Sequence, residues 1–239
     1  MATQRLDKAL SSTGKWTRKE ARELIHSGRA LVDGHAVRDP AAKIDPEAVR
    51  LDVDGETLSY RRVTWVMLNK PSGYLSATED RRAPTVLDLL PPELRGLFPV
   101  GRLDKDTEGL LLLTDDGELA HKLLSPRYHV EKEYEARVSG RLTPDDVAAF
   151  AAGMTLSDGL RCAPAGLEIL SCADGESVCR VTLREGKFHQ VKRMLAERGA
   201  PVLHLERVRM GNLPLDLSLK RGDFRFLTEK EVEILENLS

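Results

Sequence analysis

Between Gly101 and Gly117 the chain reads GRLDKDTEGLLLLTDDG, a crowd of charged residues giving way to four consecutive leucines. Leu110 to Leu113 is too short for a helix standing alone and is bracketed by Gly109 and by Asp116-Gly117, so the segment predicts a strand covered on both faces. Arg102, Asp104, Asp106 and Glu108 fall on the approach to that strand, where a rigid element can fix a side chain. Taken alone, Asp104 also fits a turn residue whose carboxylate accepts local backbone hydrogen bonds.

A chain of 239 residues holds one large domain, or a small one and a medium one, and two are expected here. The net charge of −2 argues against a protein that coats nucleic acid indiscriminately, so any contact with RNA has to come from local patches. Cys162, Cys172 and Cys179 are odd in number and lack C-x-x-C spacing, which points away from a disulfide framework and from a zinc site and fits a reducing interior. The start MATQRLDKAL has no apolar signal core, and no run approaches the length of a membrane span, so a soluble cytoplasmic protein is expected.

In the first segment Leu6, Ala9 and Leu10 keep helical spacing. Thr17-Arg-Lys-Glu20, a capping-box pattern followed by apolar Ala21, Leu24 and Ile25, announces a second helix with Gly28 as its stop. Up to Ala30 there are seven basic side chains, Arg5, Lys8, Lys15, Arg18, Lys19, Arg22 and Arg29, against the acidic Asp7, Glu20 and Glu23, a net charge of +4. From Ala30 to Leu58 β-prone runs alternate with Asp-Gly and Pro turns and acids dominate, so charge is polarised within the segment. A basic helix by itself is equally a solvated surface. Near residue 60 the composition shifts toward a hydrophobic strand ending at Lys70-Pro71, and a domain boundary is placed there. The stem of Lys70 is expected to cover apolar surface.

Further along, Pro84 to Pro91 predicts a short helix, and Glu118 to Leu124 another that Pro126 closes, with His121 exposed on it. Arg127 to Val138 alternates polar and apolar residues as a half-buried strand does and carries Tyr134, which would read the same way as an ordinary core tyrosine. Thr143-Pro-Asp-Asp146 opens a helix with proline at its first position. After two strands, Phe188, Val191 and Leu195 supply the apolar stripe of a helix ending near Gly199. Lys187 and His189 lie at its start, where the macrodipole disfavours a cation, so a carboxylate or phosphate is expected beside Lys187. Strands rich in Leu and Val follow, and Thr228-Glu-Lys-Glu231 caps a last helix.

The order of these residues carries more than their composition does. GRLDKDTEGLLLLTDDG resembles the signature of pseudouridine synthases of the ribosomal type, which isomerise uridine within ribosomal RNA, and LNKPSGYLSAT, EKEYEA and EGKFHQVKRM resemble further motifs of that family. RLDKAL with TRKEARELIHSGRALVDG resembles the small helical RNA-binding module shared by a ribosomal small-subunit protein, some tRNA synthetases and many of these synthases. The resemblance covers essentially the whole chain. It implies an α+β protein in which residues 1–60 form a small helical-strand RNA-binding module and residues 61–239 a catalytic domain with a mixed, mainly antiparallel sheet flanked by helices.

The same resemblance implies roles for particular residues. Asp104 would be the nucleophile or base beneath the nucleoside, and Tyr134 would stack on an extruded uracil. Lys187 would be the basic partner of Asp104, a point charge where relatives commonly carry arginine. Arg102 would fill the place that the base vacates or hold a phosphate, and His189, Gln190, Lys192 and Arg193 would contact RNA. Arg5, Arg18, Lys19 and Arg22 would hold phosphates, positioning the protein without reading sequence. No metal or organic cofactor is implied.

SPRYHVEKEY and EGKFHQVKRM are closest to the branch of the family that acts on small-subunit ribosomal RNA, and large-subunit relatives usually carry another residue where His189 stands. The implied partner is that RNA or a ribosome-assembly intermediate, bound by a monomer. A noncatalytic RNA-binding assembly factor would need only the basic module; Asp104, Tyr134 and Lys187 in their motifs favour an enzyme. A zinc deaminase is disfavoured, because the histidine-glutamate and paired-cysteine ligand pattern is absent from the sequence.

Overall fold

In a computed structural model of the protein, which describes residues 3–13, 15–46, 48–58 and 63–238, three helix starts follow one local rule. The backbone N–H groups of Thr17, Thr143 and Thr228 donate to the carboxylates of Glu20, Asp146 and Glu231, three residues on, at 2.7, 2.8 and 2.8 Å. Each pairing satisfies a donor that a helix start leaves free, so the capping patterns read from the sequence act as expected. The chain divides into two compact units, Met1–Thr64 with Pro91–Gly96, and Trp65–Leu90 with Leu97–Ser239. The boundary expected near residue 60 falls among residues 59–62, which lie outside the described residues.

The first unit begins with β1 (Gln4–Arg5), α1 (Leu6–Ser11) and α2 (Arg18–His26), continues with β2 (Ala30–Val32), β3 (His35–Ala36) and β4 (Lys43–Ile44), and ends with β5 (Leu51–Val53) and β6 (Glu56–Leu58). β1 pairs with β4, and the other four form an antiparallel sheet in the order β3-β2-β5-β6. Leu6, Leu10, Leu24 and Ile25 from the helices pack with Ile44, Leu51 and Val53 from the strands in one buried cluster. Strands of two or three residues stand here because the helices supply their apolar cover.

The second unit is organised on a nine-stranded sheet. Its elements run β7 (Trp65–Lys70), β8 (Phe98–Pro99), β9 (Glu108–Thr114), α3 (Gly117–Leu124), β10 (Lys132–Ser139), α4 (Pro144–Ala152), β11 (Met154–Thr155), β12 (Arg161–Cys162), β13 (Gly166–Ala173), β14 (Glu176–Leu183), α5 (Gln190–Glu197), β15 (Val202–Met210), β16 (Leu213–Pro214), β17 (Phe224–Phe226) and α6 (Glu229–Glu236). The sheet order is β13-β14-β10-β15-β9-β7-β17, with β8 on β9 and β16 on β15, while β11 and β12 pair apart from it. Among the described residues the pairing of β15 with β9 is parallel and the others are antiparallel, as the expected mixed sheet requires.

From Gly109 to Thr114 every residue of β9 is buried, so the leucine run is the covered strand its brackets announced. Gly109 has φ +93°, and a Cβ there would lie 2.4 Å from the Arg207 carbonyl oxygen, so the parallel approach of β15 needs glycine at this point. Phe150 of α4 and Val191, Met194 and Leu195 of α5 pack with Ala136, Val181, Leu183 and Leu205 of the sheet. No helix among the described residues is long and apolar enough to cross a membrane.

Three expectations need correction. The strand carrying Tyr134 starts at Lys132 rather than Arg127, because Pro126–Tyr128 form a single 3-10 turn and His129 takes φ +50°. The helix between Pro84 and Pro91 is a four-residue 3-10 turn, Val86–Leu89. Phe188 lies outside the stripe of α5, which begins at Gln190 after His189 adopts φ +49°, and its side chain is 74% exposed.

Candidate active site

Asp104 belongs to the turn that feeds β9, and the ammonium of Lys70 ties that turn down. Lys70 ends β7 and is fully buried, with Nζ reaching the carbonyl oxygens of Pro71, Asp104, Lys105 and Thr107 at 3.2, 3.1, 3.1 and 2.8 Å. Burial pushes its pKa down to about 8, against the opposing pull of the Asp106, Glu108 and Asp104 carboxylates. The charge itself, and not only the stem expected to cover apolar surface, is built into the core. Thr107 N also donates to Asp104 O at 3.1 Å and Gly73 N to Lys105 O at 2.8 Å. Ser76 Oγ exchanges hydrogen bonds with the Leu103 backbone, both at 3.0 Å.

With its backbone held this way, Asp104 lines an open cleft together with Arg102, Tyr134, Leu183, Lys187, His189, Lys192 and Leu205. Its half-buried carboxylate has Oδ1 3.4 Å from His189 Nε2 and Oδ2 3.6 Å from Lys192 Nζ. Lys192 bonds Asp106 as well, and this holds the Asp106 carboxyl below the usual carboxylate range. His189, the left-handed residue just ahead of α5, and Lys192 in the first turn of that helix reach the same carboxylate. The signal in the sequence is the spacing of His189 and Lys192 in EGKFHQVKRM.

Lys187 lines the cleft but does not pair with Asp104. Its Nζ lies 2.9 Å from Glu185 Oε2 and donates to the Arg161 carbonyl. The helix start does have a carboxylate beside this cation, as the macrodipole argument requires, but the carboxylate is Glu185. Burial would raise Glu185, yet hydrogen bonds from Ala163 N, Lys187 and Gln190 hold it below the usual range. Gln190, expected to touch RNA, is instead buried, with Nε2 donating to Glu185 at 2.7 Å and Oε1 accepting from Lys187 N at 3.0 Å. Arg193, another expected RNA contact, bonds Asp158. Tyr134 stands on β10 opposite Val181 and Arg207, with its ring against the core and the cleft. Arg102 is exposed at the cleft.

The family model for RNA pseudouridylate synthase matches residues 64–197, more than half of the chain, and the S4 domain model matches residues 4–49. The chain belongs to the RNA pseudouridylate synthase family. It is 44% identical over 233 residues to the Bacillus subtilis (strain 168) protein named uncharacterized RNA pseudouridine synthase YtzG, covering 97% of this chain and 98% of that one. It is 40% identical over 231 residues to the Escherichia coli (strain K12) ribosomal small subunit pseudouridine synthase A, covering 95% of this chain and 98% of that one. A crystal structure of a pseudouridylate synthase matches with a TM-score of 0.68 at 36% identity, over 97% of this chain and 99% of that chain. The synthase is thus an RNA-modifying isomerase, an α+β protein with an S4 module ahead of the catalytic sheet.

In the S4 module of this synthase the arginines expected to meet phosphate converge on one buried acid. Arg5, Arg18 and Arg22 lie 3.0, 3.5 and 3.0 Å from Asp7 Oδ2. The hydrogen bond from Arg5, with those from Arg22 and Arg18, holds the Asp7 carboxyl well below the usual range although burial opposes this. One carboxylate among three guanidinium groups leaves the cluster cationic and fixes the half-exposed side chains in place. Lys19 is exposed and has no recorded ion pair among the described residues.

Proposed function

We propose that this synthase converts one uridine of small-subunit ribosomal RNA to pseudouridine, with Asp104 as nucleophile or base. The observation that carries the reading is the Asp104 carboxylate in an open cleft, beside His189 and Lys192, with Tyr134 on the same wall. Isomerisation breaks the bond from sugar carbon 1′ to base nitrogen 1 and makes one from the same carbon to base carbon 5. Carbon 5 gives up its proton and nitrogen 1 takes one, so the change is redox-neutral and needs no external energy source. A carboxylate beside the nucleoside can add to the base, attack the sugar or take a sugar proton. The lysine ammonium supplies the nearby counter-charge that such a step calls for.

A stacked base hides these atoms, so the target nucleotide swings out of its stack into the cleft at a cost of a few kcal/mol. Tyr134 stacks on the extruded uracil, and Arg102 fills the vacated place or holds a phosphate. Arg5, Arg18, Lys19 and Arg22 hold phosphates elsewhere on the RNA. The small-subunit assignment is supported by full-length relatives named ribosomal small subunit pseudouridine synthase A. Mapping pseudouridine at nucleotide resolution in ribosomal RNA from cells with and without the protein tests it. Loss of one small-subunit site is the expected result; loss of a large-subunit site, or of none, overturns the assignment.

A further inference from the structure

Phe188 is an apolar ring left in water beside the cleft. At 74% exposure it is the most exposed phenylalanine among the described residues, and it forgoes the stabilisation that burial would contribute. Its ring stacks on His189, with centroids 3.8 Å apart and planes 19° from parallel. His189 in turn has Nε2 3.4 Å from Asp104 Oδ1. Two stacked rings therefore lead from solvent to the carboxylate, and the imidazole covers only one face of Phe188. The residues on either side in sequence are Lys187 and His189, both polar.

We propose that the open face of Phe188 seats an unpaired nucleobase adjoining the target uridine, continuing the stack as base, Phe188, His189. This deepens the proposed function and rests on it, because the uridine in the cleft sets which base lies within reach. A flat, exposed aromatic face beside the lysines of the cleft is the chemistry that holds single-stranded RNA. The seat selects for a base that is free to stack, not for its identity, since every base has a π-face. It also replaces the stacking that the neighbouring base loses when the uridine leaves, which lowers the cost of extrusion.

The test pairs Phe188→Ala and Phe188→Trp with a series of RNA substrates in which an abasic nucleotide is walked through the positions flanking the target uridine. Phe188→Ala should raise KM about 5- to 150-fold, the factor equivalent to one lost base stack, acting on KM rather than kcat, and Phe188→Trp should restore it. At one position the abasic substitution should cost the wild-type protein the same factor and cost Phe188→Ala nothing further. An unchanged KM in Phe188→Ala, or losses that multiply at every abasic position, overturns the proposal. If the wild-type protein isomerises no ribosomal RNA, the proposed function fails separately. The same abasic series read by RNA affinity then decides the seat: a shared loss at one position upholds it and equal affinities overturn it.

Discussion

Replacing Lys70 with Met keeps an unbranched stem of similar volume and removes the ammonium that ties the Asp104 turn. Of the four carbonyls around Nζ, those of Asp104 and Lys105 keep a second donor in Thr107 N and Gly73 N, while those of Pro71 and Thr107 take their hydrogen bond from Lys70. Orphaning two buried carbonyls costs about 1–3 kcal/mol each. Against this, a pKa lowered from 10.5 to about 8 means that burying the charge costs the folded protein roughly 3 kcal/mol, which Met avoids. The two nearly offset, so stability should change by between a gain of about 1 and a loss of about 3 kcal/mol, read as a modest shift of the urea midpoint. Activity should fall much further, because a loosened turn lets Asp104 wander and misplacement by about 1 Å costs on the order of 100-fold. Tritium release from uracil carbon 5 at saturating RNA measures kcat. A Lys70→Met protein that keeps near-wild-type kcat would refute the claim that this tie positions the carboxylate.

Asp7→Asn leaves the half-exposed Arg5, Arg18 and Arg22 facing one another without their buried counter-charge, and should destabilise the first unit by about 1–3 kcal/mol; an unchanged denaturation midpoint contradicts this. The double variant Arg18→Ala with Arg22→Ala should weaken RNA binding and reduce the slope of log affinity against log salt by about 1.4–1.8, and an unchanged slope removes these two residues from the RNA contact. In the second unit the hydrogen bond from Arg225 holds the Glu231 carboxyl at about 2, below its unfolded value. Its stabilising contribution is therefore complete above about pH 4.5 and is lost as pH falls toward 2, on the order of 3 kcal/mol. Glu231→Gln should flatten that part of the acid limb in urea titrations at successive pH values, and an identical limb would contradict the pairing.

Much of the fold was legible because it is written locally. Thr17, Thr143 and Thr228 announce their helices through a carboxylate three residues on, and the bracketed leucines of β9 announce a covered strand without reference to anything distant. What could not be read depends on the direction in which a side chain leaves its element. Lys187 and Lys192 are both cations of one motif, but Lys187 lies ahead of α5 and pairs with Glu185, while Lys192 in the first turn of the helix reaches the Asp104 carboxylate. Phe188 fits a helical apolar stripe by spacing, but a left-handed residue at His189 delays the helix start to Gln190 and leaves the ring outside. The burial of the Lys70 ammonium depends on carbonyls 34 to 37 residues away in sequence, which no local pattern encodes.

The central claim is that one carboxylate, at Asp104, carries the chemistry. Asp104→Asn keeps the shape of the side chain and removes its charge, so RNA affinity should stay near that of the wild-type protein while release of tritium from RNA labelled at uracil carbon 5 is abolished. Substantial tritium release by Asp104→Asn, with RNA still bound, would contradict the account.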